Sequence, residues 1–150
     1  MTDLERLLPQ KSPMILLSGY DESDAPSRVT AYVDIDASSP FCEAEGVPAC
    51  VALEYMAQAM ALVVGRLRAS RGLSAQIGFV LGSRKMETFV PFFERGARYR
   101  VTAACTYEDE SFGSFDCTVS SVSGALAARA TMTAYQPSGD MTEEKLKAYE

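Results

Sequence analysis

The chain has 150 residues, 47% of them apolar and 23% charged, a length and balance that suit one globular domain built on a single core. A net charge of −6 argues against generic nucleic-acid binding, which needs a basic field to neutralise phosphate. There is no histidine, so whatever chemistry the protein carries works without imidazole.

Residues 2–8 read as a short amphipathic helix ended by Pro9, and Met14 to Leu17 as a short apolar strand. The run from Asp21 to Ser27 is turn chemistry. Val29, Ala31, Val33 and Ile35 alternate with Thr30, Tyr32 and Asp34, the pattern of a half-buried strand. A loop is expected over 38–46. Pro48 suits the first turn of a long helix reaching about residue 70, where Arg66, Arg68 and Arg71 crowd the end and Gly72 stops it. Four more strands are expected at roughly 76–90, 97–107, 112–122 and 125–136, the last two joined by a tight hairpin at Ser123-Gly124. Residues 138–150 are polar and read as a tail or a surface helix. A single apolar helix among six antiparallel strands defines an α+β layout: a curved antiparallel sheet wrapped around one long central helix, over a single domain spanning 1–150. Such a sheet often pairs edge to edge with another copy.

The helix is the most informative segment. From Val47 to Val64 only Glu54 and Gln58 are strongly polar, and a spacing of four puts them on one helical face. A carboxylate in such a run costs free energy unless something pairs with it or uses it. Two readings stand: an acid–base group with a positioning partner, or a mutually satisfied polar pair in a core or dimer interface. The run is near the lower length limit for a membrane span and contains Glu54, Gln58 and Pro48, so it is expected to be a buried core helix. The charged N-terminal residues lack a signal-peptide apolar core, and the cytoplasm is the expected compartment. Cys42, Cys50, Cys105 and Cys117 form no Cys-x-x-Cys pair and have no histidine to complete a zinc set. They are expected to be buried free thiols, with no metal bound.

Taken in order, several segments resemble the hot-dog fold 3-hydroxyacyl-[acyl-carrier-protein] dehydratases over nearly all of residues 4–136. Leu8-Pro9-Gln10-Lys11-Ser12-Pro13 is similar to that family's opening motif, and Glu54-Tyr55-Met56-Ala57-Gln58 to its Glu-x-Met-Ala-Gln core. Gly82-Ser83-Arg84, Gly96, Gly113-Ser114-Phe115 and Ala128-Arg129-Ala130-Thr131-Met132 follow in the family's order. The Gly-Val-Pro, Leu-Gly-Ser-Arg and Phe-Gly-Ser-Phe-Asp-Cys stretches look closest to the dehydratase-like proteins of aryl-polyene biosynthesis. Two family histidines are missing. The loop before the helix reads Ser39-Pro40-Phe41-Cys42-Glu43-Ala44-Glu45-Gly46, and Gln10 stands where the opening motif commonly has histidine.

The resemblance implies removal of water from a 3-hydroxyacyl thioester to give the trans-2-enoyl thioester. That needs a base for the C2 proton, an acid for the leaving hydroxyl and a donor for the thioester oxygen. Glu54 fits one acid–base role and Gln58 would orient it; Gly46 and Val47 sit where the backbone donor would be. Lys11, Cys42, Glu43, Glu45 and Tyr55 are candidates for the second acid–base role. Arg66, Arg68, Arg71, Arg84 and Lys85 read either as a docking patch for an acyl carrier protein or its phosphopantetheine phosphate, or as a solvated helix end. Phe89 to Phe93 read as acyl-tunnel wall or as plain core. No resident cofactor is implied, since the phosphopantetheine arm belongs to the substrate. The expected partners are an acyl carrier protein or acyl thioester and a second hot-dog subunit, identical or not. Two rival functions remain: a catalytically degenerate subunit that binds acyl chains or partners an active dehydratase, and a hot-dog thioesterase.

Overall fold

The structure is a computed structural model describing residues 3–22, 25–109 and 111–137; the expected tail at 138–150 lies outside them. The elements in order are α1 (Asp3–Leu7), β1 (Gly19–Tyr20), β2 (Arg28–Asp34), β3 (Gly46–Pro48), α2 (Ala52–Ser70), β4 (Phe79–Thr88), β5 (Phe92–Glu94), β6 (Arg98–Glu108), β7 (Phe112–Ser121) and β8 (Leu126–Tyr135). Six strands form one antiparallel sheet in the order β1-β2-β6-β7-β8-β4, and β3 pairs with β5 in a separate ribbon.

The alternating patterns converge on one face of this sheet. Val29, Ala31 and Val33 of β2 stand opposite Ala103, Val101 and Tyr99 of β6. Val101 and Ala103 stand in turn opposite Val119 and Cys117 of β7, and these opposite Ala128 and Ala130 of β8. All of these side chains are buried. A period of two puts each set on the same side of its strand, and the alanines leave room for the large residues of α2. That helix packs on β6, β2 and β7 and buries Tyr55, Met56, Met60, Leu62 and Val63 among them. α2 is long and apolar enough to cross a membrane by length and composition, yet that apolar surface is the core of this fold. It ends where expected: the Leu73 N–H donates to Arg68 O at 2.9 Å and the Gly72 N–H to Ala69 O at 3.0 Å, a Schellman closure.

Four expectations are corrected. Met14 to Leu17 is not a strand; β1 comes two residues later, at Gly19–Tyr20. Pro48 is not in the first turn of the α-helix. It closes β3 and precedes a 3₁₀ turn, Ala49–Val51, that leads into α2. The strand expected over 76–90 is shorter, β4, and β5 follows it, so the described residues hold eight strands rather than six. Of the four free cysteines only Cys117 is buried; Cys50 is exposed and Cys42 and Cys105 are half-buried. Burial pushes the Cys117 thiol up to about 12.

The outer strands of the sheet differ. β1 has two residues, whereas β4 has ten and leaves Val80 and Leu81 exposed, Leu81 at 56%. Register shifts on either side of Gly82 to Arg84, and a positive φ of 53° at Lys85, bend β4 away from a flat ladder.

Gly65 allows the α1 end to approach α2. A Cβ there would lie 2.1 Å from Leu7 O, a backbone atom that cannot swing aside. Gly65→Ala is therefore expected to destabilise the fold by about 1–3 kcal/mol in denaturant unfolding, despite the better helix propensity of alanine. Across the β2–β6 pair, Arg98 holds Asp34 through two bonds, Nε to Oδ1 at 2.6 Å and a second guanidinium nitrogen to Oδ2 at 3.0 Å. The hydrogen bond from Arg98 keeps the Asp34 carboxyl below its usual range. A lowered folded-state pKa stabilises above the ordinary carboxylate value and fades as pH falls through it. The stability difference between the parent and Asp34→Asn should accordingly shrink as pH drops below about 4, read from unfolding curves across pH.

Candidate functional site

Glu54 and Gln58 are joined directly: Gln58 Nε2 donates to Glu54 Oε1 at 2.9 Å. Gln58 is the only fully buried polar side chain among the described residues, at 0% exposure. Its amide has two further partners in the N-terminal segment. Nε2 also donates to Met14 O at 2.7 Å, and Oε1 accepts from the Leu16 N–H at 2.9 Å. The apolar stretch that resembled a strand is thus fastened to a helix side chain instead of a sheet. Glu54 is half-buried, and among the described residues its second oxygen, Oε2, has no hydrogen-bond partner. One oxygen of a half-buried carboxylate is thus held by Gln58.

Glu54, Ala57, Ala61, Val64 and Arg68 recur at steps of three and four, so they form one stripe along α2. All five are half-buried, in contrast to the sealed face that packs on the sheet. Two concavities border this helix. A shallow one is lined by Cys50, Leu53, Ser83, Met86 and Thr88. A deeper one of about 380 Å³ is floored by Ala57, Met60, Ala61 and Val64. Its walls include Leu7 and Gln10 on one side and Phe79, Phe112 and Tyr135 on the other. Glu54 lines neither cavity; along the helix it falls between Leu53 of the shallow one and Ala57 of the deeper one.

The remaining sequence-derived candidates separate. Gly46 and Val47 lie in β3, not at a helix N-terminus, and both are buried. The Gly46 N–H donates to Glu43 O at 3.2 Å, so that amide is already engaged. Gly46 has φ +131° and a Cβ there would sit 2.1 Å from Phe93 O, so its role in the ribbon is close backbone approach. Tyr55 is sealed in the core against Phe93, and burial holds its hydroxyl pKa well above the usual value, which leaves it protonated. Cys42 donates its thiol hydrogen to Glu43 O, Lys11 Nζ bonds Glu5 O, and Glu43 and Glu45 are exposed on the loop.

The five cations do not make one patch. Arg66 reaches the Arg28 and Glu22 carbonyls, on the β2 side. Arg68 and Arg71 border the deeper cavity, with Arg68 Nε donating to Ser74 O at 2.7 Å. Arg84 and Lys85 are exposed on β4. Phe93 is core, packed on Tyr55 and Tyr99, while Phe89 is exposed beneath Arg129. The deeper cavity escaped sequence reasoning, although small residues at 57, 61 and 65 were its signal.

A six-stranded antiparallel sheet wrapped around one central helix defines a hot-dog protein. The family description ApeP-like, ApeP dehydratase, matches residues 2–146, and the chain belongs to that family. Among solved structures it is similar to the dehydratase heterocomplex ApeI:P from Xenorhabdus doucetiae, with 27% identity, a TM-score of 0.87 and coverage of 99% of this chain and 97% of that one. Two further likenesses show the fold alone. A hypothetical thioesterase with coenzyme A from Streptococcus pneumoniae TIGR4 gives 15% identity, a TM-score of 0.64 and coverage of 84% and 91%. The Escherichia coli PaaI protein from the phenylacetic acid degradation operon gives 13%, 0.60, and 78% and 81%. No curated protein matches the chain.

Gln58 carries three hydrogen bonds that no apolar side chain replaces. Gln58→Leu should cost about 2–4 kcal/mol in denaturant unfolding, because it strands the buried Leu16 N–H and removes the bond to the Met14 carbonyl. Faster hydrogen exchange at the Leu16 amide should accompany that loss.

Proposed function

We propose that this chain acts on a 3-hydroxyacyl thioester, carried by an acyl carrier protein, and that Glu54 exchanges the proton that dehydration moves. The single observation behind this reading is the Glu54–Gln58–Met14/Leu16 clamp, which fixes one oxygen of a half-buried carboxylate. Loss of water breaks the C2–H and C3–O bonds and forms the trans-2 double bond; a carboxylate at this place takes the C2 proton or returns one to the leaving hydroxyl. A positioned acid–base group contributes roughly 10²–10⁴-fold in rate. Gln58 is a positioning residue in this scheme. No resident cofactor is required, because the phosphopantetheine arm arrives with the substrate, and the cytoplasm suits a carrier-borne intermediate.

For the second acid–base group the loop before α2 offers only Cys42, whose thiol bonds Glu43 O, and the exposed Glu43 and Glu45. We infer that it comes from a second hot-dog subunit paired along β4. Two facts support this: the relative of known structure is a heterocomplex, and β4 is a long outer strand with exposed Val80 and Leu81. This chain is then the carboxylate-bearing half of a two-subunit dehydratase.

The test follows enoyl absorbance during hydration of a 2-enoyl thioester, with the chain alone and mixed with a hot-dog partner subunit. Turnover is expected in the mixture, and Glu54→Gln should lower it at least about 100-fold. A mixture equally active with Glu54→Gln would leave this chain a structural partner only. Release of free thiol in place of enoyl consumption would assign the thioesterase reaction instead.

A further inference from the structure

The alternation that turns one set of strand side chains toward α2 turns the other set away from it. On that outer face Thr30, Thr102 and Thr118 stand in one row across β2, β6 and β7, with Ser120 and Thr131 beside them. All five are half-buried, so the middle of the face is low and lined by hydroxyls.

Charges are set around this middle. Arg98 is paired with Asp34, and Arg129 with Glu87. Arg28 and Arg84 lie toward opposite margins, on β2 and β4. Two central groups of opposite sign remain. Arg100, on β6, has no carboxylate partner among the described residues, and the exposed Asp116, on β7, has only the Thr131 hydroxyl, which donates to its Oδ1 at 3.1 Å. Asp116 stands opposite Ala104, four residues along β6 from Arg100. The two positions are therefore one strand and about 14 Å apart, too far for a pair within one chain.

A purely acidic partner would meet Asp116 at the centre, and a purely basic one Arg100. A copy of the same face satisfies both. With a two-fold axis lying between the two sheets, midway between these positions, each Arg100 faces the other copy's Asp116, and the pair is made twice. Area and apolar content suit such a contact. Five strands of seven to eleven residues, about 4.8 Å apart, span roughly 25 by 30 Å, of the order of the ~800 Å² that a stable interface takes from each partner. Phe89, beneath the Arg129 guanidinium, and Leu126 are exposed at one corner of the face.

We propose that this outer face is an interface between two copies of the chain, packed sheet on sheet and locked by reciprocal Arg100–Asp116 pairs. It is separate from pairing along β4: that uses main-chain groups at an edge, this uses side chains on a face, and one molecule can take part in both.

The test weighs the full chain by sedimentation equilibrium. Arg100→Glu and Asp116→Arg should each halve the assembled mass of the parent, because like charges then meet twice at the centre. Equal amounts of the two variants, mixed, should recover it, since every central contact in the mixed pair again joins opposite charges; the double variant should recover it alone for the same reason. Salt at about 1 M should loosen the parent's association. Where a reversal fails to fold, Arg100→Gln and Asp116→Asn should each weaken association about fivefold or more. Reversals that leave the mass unchanged, or a mixture and a double variant that stay apart like the single ones, overturn the proposal. None of these readings involves Glu54, so they stand or fall apart from the proposed reaction.

Discussion

The amide of Gln58 holds the site together. It is wholly buried, and it spends both donors and one acceptor lone pair on groups that differ in kind: a carboxylate one turn back on the helix, and a carbonyl and an N–H forty-odd residues away in sequence. In a medium of low dielectric such a group is costly unless every bond is made. Its three bonds therefore fix three things at once: the direction of the Glu54 carboxyl, the course of Met14 to Leu16, and the position of the N-terminal segment against α2. Leu7 and Gln10, which wall the deeper cavity, belong to that same segment. The wall and the carboxylate consequently share one anchor.

α2 serves two opposed purposes. One face is packed into the sheet and brings Tyr55, Met56 and Leu62 into a core with Phe93, Val101 and Val119. The other, from Glu54 to Arg68, is kept short by alanines and stays half-buried. A helix apolar on most sides is usually a helix with no free face. Here the open stripe is apolar only at Ala57, Ala61 and Val64, between a carboxylate and a guanidinium.

Much of this was legible in the amino-acid pattern. The C-terminal end of α2, the alternation in β2, the presence of β6, β7 and β8, the hairpin at Ser123-Gly124 and the Glu54–Gln58 pairing all follow from apolar patterning, a spacing of four and turn chemistry. The parts that were not legible share a cause: each depends on direction or partner, which spacing alone does not carry. Met14 to Leu17 has the composition of a strand, but its backbone groups bond a side chain. β3 and β5 have three residues each, too few to alternate. Arg66 and Arg68 are neighbours in sequence, yet two steps of about 100° send them to different sides of the helix, one to the β2 carbonyls and one to the cavity. Gln10 was visible only as a departure from a family motif; nothing local showed that its oxygen would be enclosed.

The unequal borders of the six-stranded sheet limit how far assembly can go. A border of two residues offers almost no ladder, whereas the ten-residue one offers a long row of main-chain groups beside exposed apolar side chains. A body that can be joined along one margin only is used up by its first neighbour. The hazard of growth through an open ladder therefore falls on the long margin alone.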